Sequence, residues 1–215
     1  MKLQELFFVT GICFIFILTW GLTSVQRLGV QLTDQQVFWH TPADSVNLTS
    51  KCTAFKDCPS NHFAFYISSG AADVVGPKIC FEGKVIMSGV KNNVGRGLNI
   101  VLLDGETGNI VRSSYFKGSD DWLDFLRSIQ PGHITLVASF DDPASILTDE
   151  AREIFRGLGS SVIQTLGTRD GWVFASQKGS KESPFEKHIS NDEKTNRYER
   201  WPEIIDVSGC FHKRI

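Results

Sequence analysis

The sequence lacks an excess of positive charge. Its 22 lysine and arginine residues are matched by 24 aspartate and glutamate residues, which gives a formal net charge of -2. Nucleic-acid binding needs a basic surface that neutralises phosphates, so this composition excludes nucleic acid as the expected partner. Hydrophobic residues make up 41% of the 215-residue chain, which is enough for one packed core.

Common catalytic motifs are also missing. There is no G-x-S-x-G nucleophile elbow, and the five histidines include no ligand-spaced pair. Gly95-Arg96-Gly97 begins like a dinucleotide-binding loop, but Ile100 replaces the third glycine and a strand follows instead of a helix. We therefore expect no cofactor, no metal and no catalytic residue, and we interpret this motif as a bend where a strand begins.

One long apolar run stands at the N-terminus. Lys2 precedes the uncharged stretch 6–20, which fits the core of a secretory signal. We predict a cleaved signal peptide over residues 1–24, a secreted protein, and no membrane span in the mature chain. The alternative is a signal anchor that retains the protein in the secretory pathway, because the run extended to Val25 reaches the roughly 20 residues that cross a bilayer.

Residues 25–50 are polar and have no clear periodicity, which predicts an exposed linker. They contain Asn47-Leu48-Thr49, the only N-x-S/T sequon of the sequence. We predict a glycan on Asn47 and a single globular domain over residues 51–215.

Cysteine is scarce, and its number becomes even once the leader is removed. Cys13 leaves with the signal peptide, and Cys52, Cys58, Cys80 and Cys210 remain. Even parity in an oxidising compartment predicts two disulfides, although spacing alone leaves three connectivities open. A zinc site is disfavoured because no CxxC motif and no histidine pair accompany these cysteines.

Hydrophobic patterning predicts an α+β domain of short strands. Residues 98–103 and 109–111 flank a glycine-containing turn at 104–108, which indicates a β-hairpin. The other predicted elements are a helix after Ser119 that ends at Pro131-Gly132, a helix that begins at Thr148, and strands at 134–140, 172–174 and 204–207. This order argues against a doubly wound parallel sheet.

Two polar motifs could carry chemistry. Asp141-Asp142 follows the predicted strand 134–140, but adjacent residues that leave a strand diverge, unlike the facing acid and base of a glycosidase. The alternative is a turn before Pro143 in which one aspartate binds local backbone. The R-D-G-W motif that begins at Arg169 is either an ion-paired turn with a core tryptophan or half of a polar binding site.

Four segments resemble one family in order and spacing: KICFEGKVIMSGVKNNVGRGLNI (78–100), LGTRDGWVF (166–174), SPFEKHI (183–189) and WPEIIDVSGC (201–210). They are similar to the cytokine-like family of pancreatic-derived factor (PANDER) and interleukin-like epithelial-to-mesenchymal transition inducer (ILEI). The resemblance covers about residues 51–211. It implies a secreted signalling protein with a curved two-sheet β-sandwich and short flanking helices, and the disulfides Cys52–Cys80 and Cys58–Cys210.

One position departs from the family pattern. ILEI-like members have a further cysteine after the WVF strand that supports a covalent dimer, whereas this chain has Ala175 there. We therefore expect no disulfide-linked dimer through position 175.

The domain also resembles the glycan-binding stem domain of the O-mannose N-acetylglucosaminyltransferase. In that relative the contacts come from an arginine of the R-G turn, an aspartate after the central strand and the arginine of R-D-x-W. The matching positions are Arg96, Asp142 and Arg169. Arginine and carboxylate groups can donate to and accept from sugar hydroxyls. The alternative is a structural network that holds three loops together.

The sequence as a whole predicts a secreted, cytokine-like signalling ligand that acts through a cell-surface receptor and is not an enzyme. The alternative is a lectin-like module that binds a glycan through Arg96, Asp142 and Arg169. A third hypothesis is a glycosidase-like enzyme that uses Asp141 or Asp142.

Overall fold

The computed structural model describes Cys52, residues 57–118 and residues 121–214. Within these ranges the chain forms nine β-strands and two α-helices. The strands are β1 (His62–Ser68), β2 (Lys78–Phe81), β3 (Lys84–Met87), β4 (Gly97–Leu103), β5 (Ile110–Phe116), β6 (Ile134–Phe140), β7 (Gly171–Gln177), β8 (Phe185–Ile189) and β9 (Asp206–His212). The helices are α1 (Asp121–Arg127) and α2 (Asp149–Gly157), and short 3-10 turns occur at Gly89–Lys91 and Ala144–Ile146.

The strands form two sheets in which neighbouring strands are antiparallel. Sheet 1 has the order β3-β2-β1-β9, and sheet 2 has the order β5-β4-β6-β7-β8. The predicted α+β class, with a two-sheet β-sandwich and short flanking helices, is therefore confirmed.

The middle strands of sheet 2 are buried on both faces. Leu98 and Ile100 of β4 pack in a cluster with the helices, whereas Val101 and Leu103 pack against sheet 1. Because successive side chains of a strand point to opposite faces, sheet 2 lies between sheet 1 and the helices. A strand covered on both sides needs apolar side chains on both faces, which explains the nearly continuous apolar run in β4.

The helices cover sheet 2 with apolar side chains. In α2 the Thr148 hydroxyl accepts a hydrogen bond from the Ala151 N–H, and Asp149 and Glu150 lie in the first turn. The predicted start of this helix is therefore correct. The side chains that the two helices bury are Trp122, Phe125, Leu126, Ala151 and Phe155.

Element boundaries differ from the sequence prediction, most clearly in the hairpin, in α1 and in the last strand, and the predicted strand 172–174 is longer, Gly171–Gln177. The second strand of the hairpin continues to Phe116, and α1 ends at Arg127, before the predicted stop. The last strand is predicted over 204–207, but β9 begins only at Asp206, because the Ile205 N–H binds the Ser69 hydroxyl instead of a strand carbonyl. The predicted cap Ser119 lies outside the described residues.

Two disulfides connect the start of the domain to sheet 1. Cys52 is bonded to Cys80 on β2, and Cys58 is bonded to Cys210 on β9. This is the pairing that the family resemblance implies. The bonded cysteines are separated by 28 and 152 positions, so the second bond joins the two ends of the domain.

Ala175 lies inside β7 and not after the strand. Its side chain is 0% exposed and packs in the core between the two sheets. A residue at position 175 therefore faces the interior of this domain.

The predicted leader (1–24), the linker (25–50) and the sequon at Asn47 lie outside the described residues. Within the described part of the chain, no helix combines the length and apolar character needed to cross a membrane.

Candidate functional site

The predicted site residues lie in loops at one end of sheet 2. Arg96 directly precedes β4, Asp142 follows β6, and Arg169 shortly precedes β7. Strand β6 lies between β4 and β7 and is antiparallel to both. The end of β6 therefore lies beside the starts of β4 and β7, and the sheet brings three distant loops together.

Arg96 pairs with Asp141, the neighbour of the predicted Asp142. The Arg96 Nη1 atom lies 3.3 Å from Asp141 Oδ2, and Nη2 lies 3.2 Å from Asp73 Oδ2. The Arg96 side chain is 61% exposed, whereas that of Asp141 is 15% exposed. Arg96 therefore bridges a largely buried carboxylate and a more exposed one, and much of its side chain faces solvent.

The Asp142 carboxylate accepts hydrogen bonds from the backbone of two loops at the site. Its Oδ1 atom accepts hydrogen bonds from the N–H of Ala144 at 3.1 Å and from the N–H of Arg169 at 3.2 Å. The first bond forms the turn after β6, and the second ties this turn to the loop before β7. One alternative drawn from the sequence was a turn before Pro143 in which an aspartate binds local backbone. The hydrogen bond from the Ala144 N–H to Asp142 is a bond of this kind.

Arg169 lies over an aromatic ring. Its guanidinium carbon is 4.7 Å from the centroid of the Trp201 ring, a cation–π distance. The Trp201 Nε1–H donates a hydrogen bond to Asp141 Oδ1 at 3.1 Å. Asp141 therefore links Arg96 to Trp201, and Trp201 supports Arg169.

Two residues of this cluster have a left-handed backbone. The φ angle is +61° for both Asp141 and Arg169. Aspartate tolerates this region, whereas arginine rarely adopts it, and such conformations cost on the order of 1–3 kcal/mol each. Backbone strain of this kind concentrates at binding and active sites in proteins, so the cluster is the strongest candidate site of the domain.

A buried asparagine positions the loop that carries Arg96. Asn99 of β4 is fully buried, and its side chain accepts from the Gly95 N–H at 2.9 Å and donates to the Gly95 carbonyl at 2.8 Å. Gly97 has a φ of +92°, and a Cβ there would collide with the Phe116 carbonyl oxygen. The glycine-rich bend predicted from the sequence therefore has a steric cause, and Asn99 holds it in place.

Asp170 anchors the Arg169 loop from the other side. Its carboxylate accepts hydrogen bonds from the N–H groups of Gly167 and Asn191, each at 2.8 Å. His188 Nε2 lies 2.8 Å from Asp170 Oδ2. Burial raises the pKa of Asp170, but these three partners outweigh burial and hold the pKa below its usual value. In the R-D-G-W turn, Asp170 therefore has His188 as a side-chain hydrogen-bond partner.

The space enclosed by the cluster is small. The cavity lined by Ser139, Asp141, Arg169 and Trp201 has a volume of about 10 Å³, which holds roughly one water molecule. A sugar ring does not fit inside it. A larger ligand would instead contact the exposed rim, where Arg96 and Asp73 are accessible.

The adjacent carboxylates of Asp141 and Asp142 have different partners. Asp141 accepts from Arg96 and Trp201, whereas Asp142 accepts from backbone N–H groups. Both carboxylates are therefore already engaged by donors of the protein itself. No three histidine, cysteine, aspartate or glutamate side chains come together as a metal site anywhere in residues 57–118 or 121–214.

Known proteins match this chain over most of its length. A family model described as interleukin-like EMT inducer matches residues 96–180. Protein FAM3C of Danio rerio is 51% identical over 183 residues, which cover 80% of this chain and 79% of that protein. The chain belongs to the FAM3 family. FAM3C of Homo sapiens is 52% identical over 76% of this chain and 74% of its own length, and FAM3A of Mus musculus is 40% identical over 100% and 98%.

The FAM3 match confirms the resemblance to the PANDER and ILEI family. Sequence reasoning nevertheless missed three members of the cluster: Asp73, Asn99 and Trp201. Trp201 begins one of the resembling segments, but no local pattern indicates that its ring lies under Arg169, because these residues are far apart in sequence. The sequence did contain a signal for Asn99, because this polar residue interrupts an apolar strand and a buried polar side chain needs hydrogen-bond partners.

Proposed function

We propose that this FAM3 protein is a secreted, cytokine-like signalling ligand that binds a cell-surface receptor and is not an enzyme. The observation that carries the proposal is membership in the cytokine-like FAM3 family. The two disulfides support an extracellular location, because disulfides persist in oxidising compartments. Asp141 and Asp142 both already accept hydrogen bonds from protein groups, which speaks against acid–base catalysis by this pair.

A surface suited to a protein partner lies around Arg96. We define the end surface as Asp73, Val74, Val75, Val90 and Arg96. Val74 is 80% exposed and Val90 is 76% exposed. The loop that carries Val74 lies close to the turn that carries Val90, because a Cβ at Gly76 would lie 3.6 Å from the backbone of Gly89. Arginine is enriched among the residues that contribute most to protein binding, and the exposed valines add apolar area around it.

The test of this proposal is saturable binding of the labelled full chain to cultured animal cells. Arg96→Glu reverses the charge at the end surface, and we expect binding to weaken by about tenfold or more, as for a central interface arginine. Lys181→Glu is the matched control. Lys181 is exposed and follows the C-terminal end of β7, whereas the loops of the candidate site lie at the N-terminal end of that strand. Its binding should equal that of the wild type.

A second variant separates binding from folding. Val90→Asp changes an exposed side chain outside the ion pairs and should also weaken cell binding, while thermal unfolding stays close to that of the wild type. The proposal fails if cell binding does not saturate, or if Lys181→Glu reduces it as much as Arg96→Glu does.

The second candidate function is glycan recognition through Arg96, Asp142 and Arg169. The meeting of their loops and the exposed guanidinium of Arg96 favour it. Because Asp142 already accepts two backbone hydrogen bonds, Arg96 supplies the accessible donors for sugar hydroxyls. A glycan array with the wild type, Arg96→Ala and the control Lys181→Ala tests this function. A sugar signal lost only in Arg96→Ala supports it, and an array without bound sugar rejects it.

We also propose that the leader 1–24 is removed and that the secreted chain carries a glycan on Asn47. N-terminal sequencing of protein from the culture medium, and glycosidase treatment of the same sample, test both points. An intact Met1 end in membranes would support the signal-anchor alternative.

A further inference from the structure

Two histidines lie side by side on the outer face of sheet 1. His62 begins β1, His212 ends β9, and the two residues are directly opposite each other in the antiparallel register. Their ring centroids are 5.0 Å apart in an edge-to-face arrangement. Phe63, the residue after His62, packs in the core between the sheets, so the histidines point away from that core. No local motif reveals the pair, because its members stand at opposite ends of the domain.

The backbone holds the two imidazoles close together. The Lys213 N–H donates to the Asn61 carbonyl at 2.9 Å, so the neighbouring pair of His62 and His212 is a non-hydrogen-bonded one. Such pairs have the shorter Cα separation in an antiparallel sheet, about 4.5 Å. Cys210 lies two residues before His212 and is bonded to Cys58, in the segment before β1. The sheet and a covalent bond therefore keep the histidines together.

Hydrogen bonds determine which ring nitrogen of each histidine is available. His62 Nδ1 lies 2.7 Å from Asn61 Oδ1, and His212 Nδ1 lies 2.7 Å from the Lys213 carbonyl oxygen. Both partners are acceptors, so in each neutral ring the proton belongs on Nδ1 and the lone pair on Nε2. Metal-binding histidines have this arrangement, in which one nitrogen binds the metal and the other donates its N–H to an oxygen.

We propose that His62 and His212 bind a divalent transition cation, Zn²⁺ or Cu²⁺, through their Nε2 atoms. Imidazole is a preferred ligand of these ions, whereas Ca²⁺ and Mg²⁺ prefer oxygen. Asn61 Nδ2 lies 3.2 Å from His212 Nε2, at the long end of hydrogen-bond distances, so a cation can replace this contact. Among the described residues no three-ligand cluster forms, so water fills the other positions and binding is weaker than at a four-ligand structural site.

The charges beside the pair favour a cation. A cavity of about 300 Å³ next to His62 is lined by two carboxylates, those of Asp57 and Glu82, and by one ammonium group, that of Lys213. The Lys213 Nζ atom donates to the Ser60 carbonyl at 2.9 Å, so its charge is already engaged by the protein. The local balance is one net negative charge, which attracts a metal ion to this face of the sheet.

Calorimetric titration of the full, untagged chain with Zn²⁺ tests the site. His62→Ala and His212→Ala each remove one ligand, and each should weaken Zn²⁺ binding by about tenfold or more. His133→Ala is the matched control. His133 is also partly exposed, but its Nδ1 atom accepts a hydrogen bond from the Gln130 N–H, so its available lone pair is already used. Binding by His133→Ala should equal that of the wild type, and Ca²⁺ should not compete.

Thermal unfolding with and without Zn²⁺ provides a second measurement. The two histidines meet only in the folded chain, so saturating Zn²⁺ should raise the unfolding temperature of the wild type and of His133→Ala. The double variant His62→Ala with His212→Ala should show no such increase, and circular dichroism checks that it is folded. It also reports any binding elsewhere in the chain. The proposal is overturned if the wild type gives no saturable Zn²⁺ binding, or if the folded double variant binds Zn²⁺ as tightly as the wild type does.

Discussion

Asp141 and Asp142 are adjacent aspartates with different roles. Asp141 pairs with the Arg96 guanidinium and accepts a hydrogen bond from the Trp201 side chain, whereas Asp142 accepts hydrogen bonds from two backbone N–H groups. The difference follows from the end of β6, where the left-handed backbone of Asp141 turns the two side chains to different partners. A change in ligand binding after mutation of Asp142 must therefore be compared with the change in stability.

From the hydrogen bonds of Asp142 we predict how its replacement changes the free energy of unfolding. Asp142→Ala leaves two backbone N–H groups without their acceptor, so the free energy of unfolding should fall by about 1–3 kcal/mol. Asp142→Asn keeps a carbonyl oxygen that can occupy the same place, and it should lose less. Urea denaturation measures both variants, and an Asp142→Ala midpoint equal to that of the wild type would contradict this role.

Asp170 predicts a pH dependence of stability. Its pKa in the folded chain is held below its usual value, because its hydrogen bonds to Asn191, His188 and Gly167 outweigh the opposing effect of burial. A lowered folded-state pKa adds stability above the unfolded-state value of about 3.9, and that stability disappears as the pH falls through the folded-state pKa. The contribution of Asp170 is therefore constant near neutral pH and declines below about pH 4.

Urea denaturation at several pH values checks this dependence. Asp170→Asn should be less stable than the wild type at neutral pH, and the difference should shrink under acid conditions. Glu193→Gln alters an exposed carboxylate and is the control, with the same acid dependence as the wild type. A constant difference between Asp170→Asn and the wild type across the whole pH range would argue against the role of the Asp170 charge.

At the scale of elements, the start of α2 illustrates what a local pattern can predict. The Thr148 hydroxyl accepts the Ala151 N–H, and both residues lie within one helical turn in the sequence. Thr148→Ala should lower the free energy of unfolding by about 1 kcal/mol, because it removes an N-cap, whereas Thr148→Ser should keep the bond and most of the stability. Thermal and urea unfolding measure the two variants, and equal losses would show that the cap bond is unimportant.

Strands were harder to predict than helix starts. The buried strand β6 and the hairpin of β4 and β5 follow from local apolar runs and turn residues. The start of β9 does not follow from a local run of residues. It is set by Ser69, which is far away in sequence and whose hydroxyl accepts a hydrogen bond from the Ile205 N–H just before the strand. Strand ends depend on partners in space, whereas the Thr148 cap depends on its own neighbours.

At the scale of the whole molecule, we expect the largest losses of stability when a disulfide is removed. In the chain-entropy model, closing the 28-residue separation of Cys52–Cys80 contributes about 3.6 kcal/mol, and closing the 152-residue separation of Cys58–Cys210 contributes about 5.1 kcal/mol. The double variant Cys58→Ala with Cys210→Ala should therefore lose about 1.5 kcal/mol more than Cys52→Ala with Cys80→Ala. Urea denaturation of both variants checks this, and the reverse order would contradict the loop-length explanation.

The sequence by itself determined the α+β class, the apolar strands β4, β6 and β7 of sheet 2, the start of α2 and the resemblance to the family. Each of these depends on residues close together in the chain or on the order of short segments. Only the tertiary structure decided that Arg96 meets Asp141, that Arg169 lies over Trp201 and that Ala175 faces the core. Those contacts exist because β6 runs between β4 and β7 and brings distant loops to one end of a sheet, and strand order is not encoded in any local pattern of residues.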